Sequence, residues 1–194
     1  MATEKNYGDP QLEEKLKDQY FYTSDANPDF TKEVEKIGDT LAHMCFQCGT
    51  CTGSCPSAPR SSYRIRKFMR RAVLGLEMEA LTDPDLWLCT TCYSCTDRCP
   101  RDLAPTDVIM AMRNLAFKMD IIPRNFLKTV LTIYKSGHGV PNNDANRAAR
   151  TKLGLTADPP TTHMYPEFVE GIQKIMDHYE LKENSDRILA EEGQ

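Results

Sequence analysis

The stretch MCFQCGTCTGSCP at residues 44–56 returns as LCTTCYSCTDRCP at residues 88–100. Each copy places cysteines at i, i+3, i+6 and i+10 with a proline directly after the last. They are Cys45, Cys48, Cys51 and Cys55 in the first copy, and Cys89, Cys92, Cys95 and Cys99 in the second. The chain has eight cysteines, and the two copies use all of them.

C-x₂-C-x₂-C-x₃-C-P is the ligand spacing of a [4Fe–4S] site of the bacterial ferredoxin type, and two copies imply two clusters. Three thiolates spaced along a tight loop can cap three corners of one cubane, so the fourth corner must be met from a distant segment. In two-cluster ferredoxins the fourth cysteine of each run serves the other run's cluster. Carried onto this chain, one cluster takes Cys45, Cys48, Cys51 and Cys99, and the other takes Cys89, Cys92, Cys95 and Cys55. Pro56 and Pro100 fix φ and lack an N–H, which turns the chain out of each loop. Gly49 and Gly53 are expected to relieve crowding in the first loop. Tyr93 and Asp97 stand at the matching positions of the second, so the two sites should differ in hydrogen bonding and potential.

Other uses of cysteine fit less well. Zinc takes four ligands, usually as two C-x₂₋₄-C pairs, and does not call for a third cysteine at i+6. A disulfide framework needs an oxidising compartment, and the polar opening MATEKNYGDPQLEEKLKDQYF has no apolar signal core. A catalytic C-x-x-C pair would leave most of the cysteines unexplained.

Composition narrows the class further. The 194 residues carry a net charge of −4 with 27% charged side chains, and mean hydropathy is −0.52. A soluble protein of a reduced cytoplasm is expected. The acidic balance argues against nucleic acid as the main partner. No apolar run approaches the ~20 residues of a bilayer span, so no direct membrane insertion is expected.

Around the motifs the apolar residues recur at helical intervals. Phe30, Val34, Ile37, Leu41 and Met44 run straight into Cys45. Ile65, Phe68, Met69, Ala72 and Val73 mark a helix from about Ser62 to Leu74. Val108, Met112, Leu115 and Met119 mark another, with Pro105 in its first turn. Phe126, Leu127, Val130, Ile133 and Tyr134 read as the inward face of a helix opened by Pro123 and closed by Gly137. A short helix is expected near residues 144–153, and Tyr165, Phe168, Ile172, Ile175, Met176 and Tyr179 form a last stripe. These apolar positions are read as core packing. No segment alternates as a strand does.

The fold class expected is therefore all-α, an α-helical ferredoxin core built from a duplicated cysteine-loop and helix unit. The unit recurs 44 positions on, Cys45 to Cys89 and Cys55 to Cys99. Residues 1–40 form an N-terminal arm with one helix, 41–120 the two-cluster domain, and 121–194 a C-terminal helical extension. Arms of this kind suit a protein that wraps its neighbours in a complex; flexible tails over 1–25 and 184–194 are the alternative.

Arg60, Arg64, Arg66, Lys67, Arg70 and Arg71 crowd the stretch between the motifs. Cations near an anionic cluster favour its reduced form. They can equally dock an acidic partner or simply form a solvated face. His43, His138, His163 and His178 show no shared ligand spacing, though His43 stands close to Cys45. There is no glycine-rich nucleotide fingerprint and no P-loop, so no catalytic residue is assigned.

Residues 44–119 closely resemble the C subunit of heterodisulfide reductase. The resemblance rests on the CxQCGxCTxxCP opening, the LWxCxxCxxCxxxCP second motif and the PTDVIxxMRNLA continuation, with PNND and MYPEF adding weaker support. Broader relatives are the iron–sulfur subunits of succinate dehydrogenase, fumarate reductase and glycolate oxidase. The resemblance implies an electron-transfer subunit with two [4Fe–4S] clusters in a cytoplasmic complex of methanogenic archaea. It would pass electrons from the flavin- and cluster-rich A subunit to the B subunit, which reduces CoM-S-S-CoB at CCG motifs, with a hydrogenase in a larger complex. This chain has no CCG motif and no flavin motif. The alternatives are the iron–sulfur subunit of another dehydrogenase, or a cluster-bearing regulator or assembly scaffold.

Overall fold

Asn27 opens the first helix, α1 (Pro28–Gly38), by accepting a hydrogen bond from the Asp29 N–H at 3.0 Å, while Pro28 supplies a first residue with no N–H to satisfy. Asp39 closes it in a left-handed conformation, φ 44°. Phe30 and Val34 are fully buried, each contributing roughly 1.5–3 kcal/mol of apolar burial. The computed structural model describes residues 26–191. Expectations for residues 1–25, including most of the N-terminal arm, lie outside the described residues. Among the described residues there are ten α-helices and no strand, an all-α fold.

The stripe expected to run on into Cys45 is broken. Beyond Asp39 the chain makes only a 3₁₀ turn, Ala42–Met44, in which Ala42 is buried while Leu41 and Met44 are exposed. The left-handed residue redirects the chain and rotates the apolar face, so Leu41 and Met44 are not core residues.

Helix α2 (Thr50–Gly53) is the first motif's turn. Helix α3 begins at Ile65 rather than Ser62 and runs to Leu74. It packs on α1 through buried Ile65, Phe68, Met69 and Ala72. Polar contacts lock the pair. Thr31 Oγ1 donates to the Ala72 carbonyl at 2.6 Å, and Asn27 N–H donates to the Gly75 carbonyl at 2.8 Å. Gly75 ends α3 at φ +69°, and a Cβ there would meet the Asn27 oxygen at 2.4 Å, so this joint requires glycine.

A short α4 (Glu77–Leu81) leads to a 3₁₀ turn, Pro84–Leu88, capped by Asp83. The second motif's turn is α5 (Ser94–Asp97). Helix α6 (Pro105–Lys118) follows, with Val108, Ile109, Ala111, Met112, Leu115 and Ala116 buried. The chain divides within α6, into a unit ending at Leu115 and a unit from Ala116 onward.

In the second unit α7 (Arg124–Ser136), α9 (Pro166–His178) and α10 (Leu181–Glu191) pack on one another. Leu127, Met176 and Ile188 are the buried apolar residues of these three helices. Helix α8 (Asp144–Lys152), capped by Asn143, has no buried residue. Two expectations fail here. Phe126 is exposed rather than inward, and of the last stripe only Met176 is buried, while Tyr165, Phe168, Ile175 and Tyr179 are exposed. Three helices give α9 neighbours on one side only, so the wide stripe is left partly open. Residues 184–191 continue α10, with Ser185 and Ile188 buried. Among the described residues no helix is long and apolar enough to cross a membrane.

Candidate metal centres

The duplication seen in the sequence is repeated in the backbone. A 3₁₀ turn delivers an extended cysteine, Cys45 after Ala42–Met44 and Cys89 after Pro84–Leu88. Two left-handed residues follow at alternate positions, Gln47 and Gly49 in the first loop, Thr91 and Tyr93 in the second. Each loop then closes into its short helix, α2 or α5. Alternating left-handed residues curl a loop around a centre and turn its N–H groups inward, the geometry of an anion-binding nest. Gly49 (φ +86°) needs its freedom, and Tyr93 adopts the same region with a side chain, at a cost of about 1–2 kcal/mol. Gly53 is not left-handed, and a Cβ there would meet no protein atom within 4 Å.

The two motif turns lie against each other, and the charge of Cys95 is one of the lesser influences on the Cys51 thiol. One small, partly open pocket is lined by Cys45, Cys48, Cys51 and Cys99, with Arg66 and Met69 alongside. Cys99 thus faces the three leading cysteines of the other run. On the other side Cys55 and Cys95 are buried. After burial, the Cys89 thiol is the strongest influence on the Tyr63 hydroxyl, followed by Cys55 and Cys95, so all three thiols lie within its electrostatic reach. Cys92 is exposed at the rim of its loop.

The hydrogen bonding of the cysteines also follows the repeat. The Cys48 sulfur lies 3.4 Å from Thr50 Oγ1, and the Cys92 sulfur 3.5 Å from Ser94 Oγ. Each hydroxyl holds its thiol below the ordinary range, helped by the N–H of the same residue. Burial acts the other way deeper in the loops, pushing the Cys51 thiol up to about 11 and raising Cys95. Iron must displace those protons, so binding the metal and forming the thiolates are one event.

Several contributors were not read from the sequence. Gln47 Nε2 donates to the Cys45 sulfur at 3.4 Å, leaving its buried Oε1 without a protein partner. Thr106, almost fully buried, brings its hydroxyl 3.1 Å from the Cys95 sulfur. Arg113 donates to the carbonyls of Leu86 (3.1 Å) and Cys89 (2.8 Å) and lies over the Trp87 ring. Only Gln47, inside the motif, carried a local signal.

The basic stretch is not a single cationic face. Lys67 and Arg71 pair with Asp83, and Lys67 also reaches Asp85. Arg64 Nη1 donates to the carbonyls of Ala58, Ser61 and Tyr63. Arg66 stands at the first pocket, where its charge is one of the influences lowering Cys48. His43 is turned to Glu35, with ring and N–H on the same carboxylate oxygen at 2.7 and 2.8 Å.

The donor set is eight thiols in two nest-like loops, with buried polar atoms left unpaired beside them, and it fits two [4Fe–4S] clusters. A family described as a 4Fe-4S dicluster domain matches residues 41–103. The chain is 46% identical over 148 residues to the C subunit of the H(2):CoB-CoM heterodisulfide,ferredoxin reductase of Methanothermobacter marburgensis, covering 76% of this chain and 80% of that protein. It is 42% identical over 160 residues to the iron-sulfur C subunit of the CoB--CoM heterodisulfide reductase of Methanopyrus kandleri, covering 78% and 83%. A further relative, the iron-sulfur C 2 subunit of the CoB--CoM heterodisulfide reductase of Methanocaldococcus jannaschii, is 38% identical over 160 residues, covering 78% and 86%.

Proposed function

Because the chain belongs to the family of heterodisulfide reductase C subunits, we propose that it is the electron-relay subunit of an oxidoreductase complex that reduces the CoM-S-S-CoB heterodisulfide. When bound, its two [4Fe–4S] clusters supply two neighbouring one-electron stores. Cys45, Cys48, Cys51 and Cys99 would hold one, and Cys89, Cys92, Cys95 and Cys55 the other. The observation that carries this assignment is the single pocket shared by Cys99 and the three leading cysteines of the first run.

The chain's own residues set the environment of each store. Gln47 and Thr50 offer hydrogen bonds at the first loop, Ser94 and Thr106 at the second. Burial of Cys55 and Cys95 keeps water from the inner side of the second group. At the first loop, exposed Leu41, Met44 and Phe46 surround Cys45 with an apolar rim that a partner can cover.

The partners we propose are the flavin-bearing A subunit of the reductase as donor and its B subunit, which carries the CCG motifs, as acceptor. The complex works in the cytoplasm, with a hydrogenase in the larger assembly. With no CCG motif in this chain, disulfide reduction belongs to the B subunit. Anaerobic purification from the native host tests the reading. Co-purification with a CCG-bearing protein and a flavoprotein is expected, together with iron and sulfide for two clusters and EPR of two interacting centres after reduction. Iron for one cluster, or zinc in its place, would overturn the two-cluster relay; a succinate- or glycolate-type dehydrogenase partner would overturn the substrate.

A further inference from the structure

Tyr63 is fully buried, and its hydroxyl has no hydrogen-bond partner in the protein. Its ring packs against Phe68, centroids 5.8 Å apart, which a phenylalanine would do equally well. Burying a hydroxyl unpaired costs about 1–3 kcal/mol, so the polar atom needs an acceptor, and the group nearest to supplying one is sulfur, with Cys89 already within hydrogen-bonding influence of it. Cys55 and Cys95 also lie within electrostatic reach of the hydroxyl. Arg113 holds this place rigid through the Cys89 and Leu86 carbonyls.

The internal repeat shows what the other site has instead. Counted from the helix that follows each motif, Tyr63 stands two positions before Ile65, and Leu103 two before Pro105. One residue into each helix, the matching threonine of the motif is met again, through different atoms. Arg66 N–H donates to Thr52 Oγ1, and Thr106 accepts from Thr96, the matching threonine of the second motif. Leu103 is buried and lines the pocket of Cys45, Cys48, Cys51 and Cys99. One site therefore has an O–H where the other has an isobutyl group.

We propose that the Tyr63 O–H donates a hydrogen bond to a sulfur of the cluster held by Cys55, Cys89, Cys92 and Cys95, and that this bond raises that cluster's reduction potential relative to a site with an apolar residue there. The proposal rests on the ligand assignment given under Proposed function. A hydrogen bond to sulfur stabilises added negative charge, and the reduced cluster carries one electron more than the oxidised one, so the bond favours reduction. A phenol hydroxyl carries its proton at neutral pH and is a donor. Tyr63 acts through the cluster's environment, as a tuning residue rather than a ligand.

The test is a Tyr63→Phe variant of the cluster-loaded protein, assayed for iron and sulfide and titrated anaerobically with EPR detection. One of two midpoint potentials is expected to fall while the other stays. Pulsed EPR of the reduced wild-type protein in H₂O and D₂O should show an exchangeable proton coupled to that same cluster, missing from Tyr63→Phe. Two clusters with both potentials unchanged, or exchangeable couplings identical in the variant and the wild type, would overturn the hydrogen bond and leave the two-cluster reading intact. Should the variant lose iron, the wild-type spectra decide: absence of an exchangeable coupling overturns the proposal. Wild-type iron for a single cluster overturns both readings.

Discussion

Thr106 and Cys95 meet at 3.1 Å, hydroxyl to sulfur, in a fully enclosed contact that joins the first turn of α6 to the second motif. A second hydroxyl, Thr96, donates to Thr106 at 3.3 Å, so Thr106 is free to give its own proton to sulfur. A thiolate is an acceptor only, and the small chain of hydroxyls is oriented toward it.

Thr106→Val keeps the shape and removes the donor. The variant is expected to lose about 1 kcal/mol of stability and to lower the potential of the cluster at Cys95. Anaerobic thermal unfolding and an EPR-monitored redox titration check the two effects separately. Unchanged potentials would show that the hydroxyl serves packing alone.

Cys55→Ser and Cys99→Ser distinguish crossed from local ligation. With crossed ligands, Cys99→Ser is expected to damage the cluster of Cys45, Cys48 and Cys51, and Cys55→Ser that of Cys89, Cys92 and Cys95. EPR of each reduced variant, compared with Cys48→Ser and Cys92→Ser as references for each site, reads which cluster is lost. Cys55→Ser matching Cys48→Ser would show local ligation.

Asp83 carries the pH dependence of the first unit. Burial pushes its carboxyl up, but hydrogen bonds from Lys67 and Arg71, with the Asp85 N–H and the charge of Lys67, outweigh that and hold it below its ordinary value. A depressed carboxylate contributes stability that is present above its unfolded value, about 3.9, and is lost as pH falls through the lower folded one. Asp83→Asn takes the carboxylate from Arg71 and leaves Lys67 with Asp85 alone, and is expected to cost about 1 kcal/mol near neutrality. The gap between variant and wild type should close below about pH 4. Unfolding midpoints measured from neutral pH downward test this, and a gap constant with pH would contradict it.

Gly75→Ala introduces a methyl group where the Asn27 carbonyl oxygen lies 2.4 Å from the added carbon. The left-handed backbone alone costs roughly 1–2 kcal/mol, and relieving the clash must also break the Asn27–Gly75 hydrogen bond. A fall in the unfolding midpoint is expected, with greater loss than for Gly53→Ala, whose added methyl meets no protein atom within 4 Å. Equal effects would mean that α1 does not depend on this joint.

Much of the molecule was legible in local pattern, and the failures have a common cause. The spacing of Ile65, Phe68, Met69 and Ala72 marked α3 correctly, because those residues have α1 to pack against. The same kind of spacing misread Leu41, Met44, Phe126 and Phe168, all exposed. Periodicity reports which face of a helix is apolar; whether another element covers that face is a matter of tertiary arrangement. Of the six cations between the motifs, Lys67 and Arg71 have acceptors at Asp83 and Asp85 that the fold brings to them, and Arg66 stands at the first pocket.

By itself the sequence determined the chemistry: eight thiols in two equal loops, a helical scaffold, and no second catalytic motif. Thiolate spacing within one loop is a short-range property, set by a few backbone angles, and so it is written locally. The motif already implied that Cys99 meets the first run; the tertiary structure alone decided that Tyr63 and Leu103 give the duplicated sites different neighbours. Those relations depend on how α3 and α6 bring distant segments back to the motifs. Two nearly identical loops thereby acquire different surroundings.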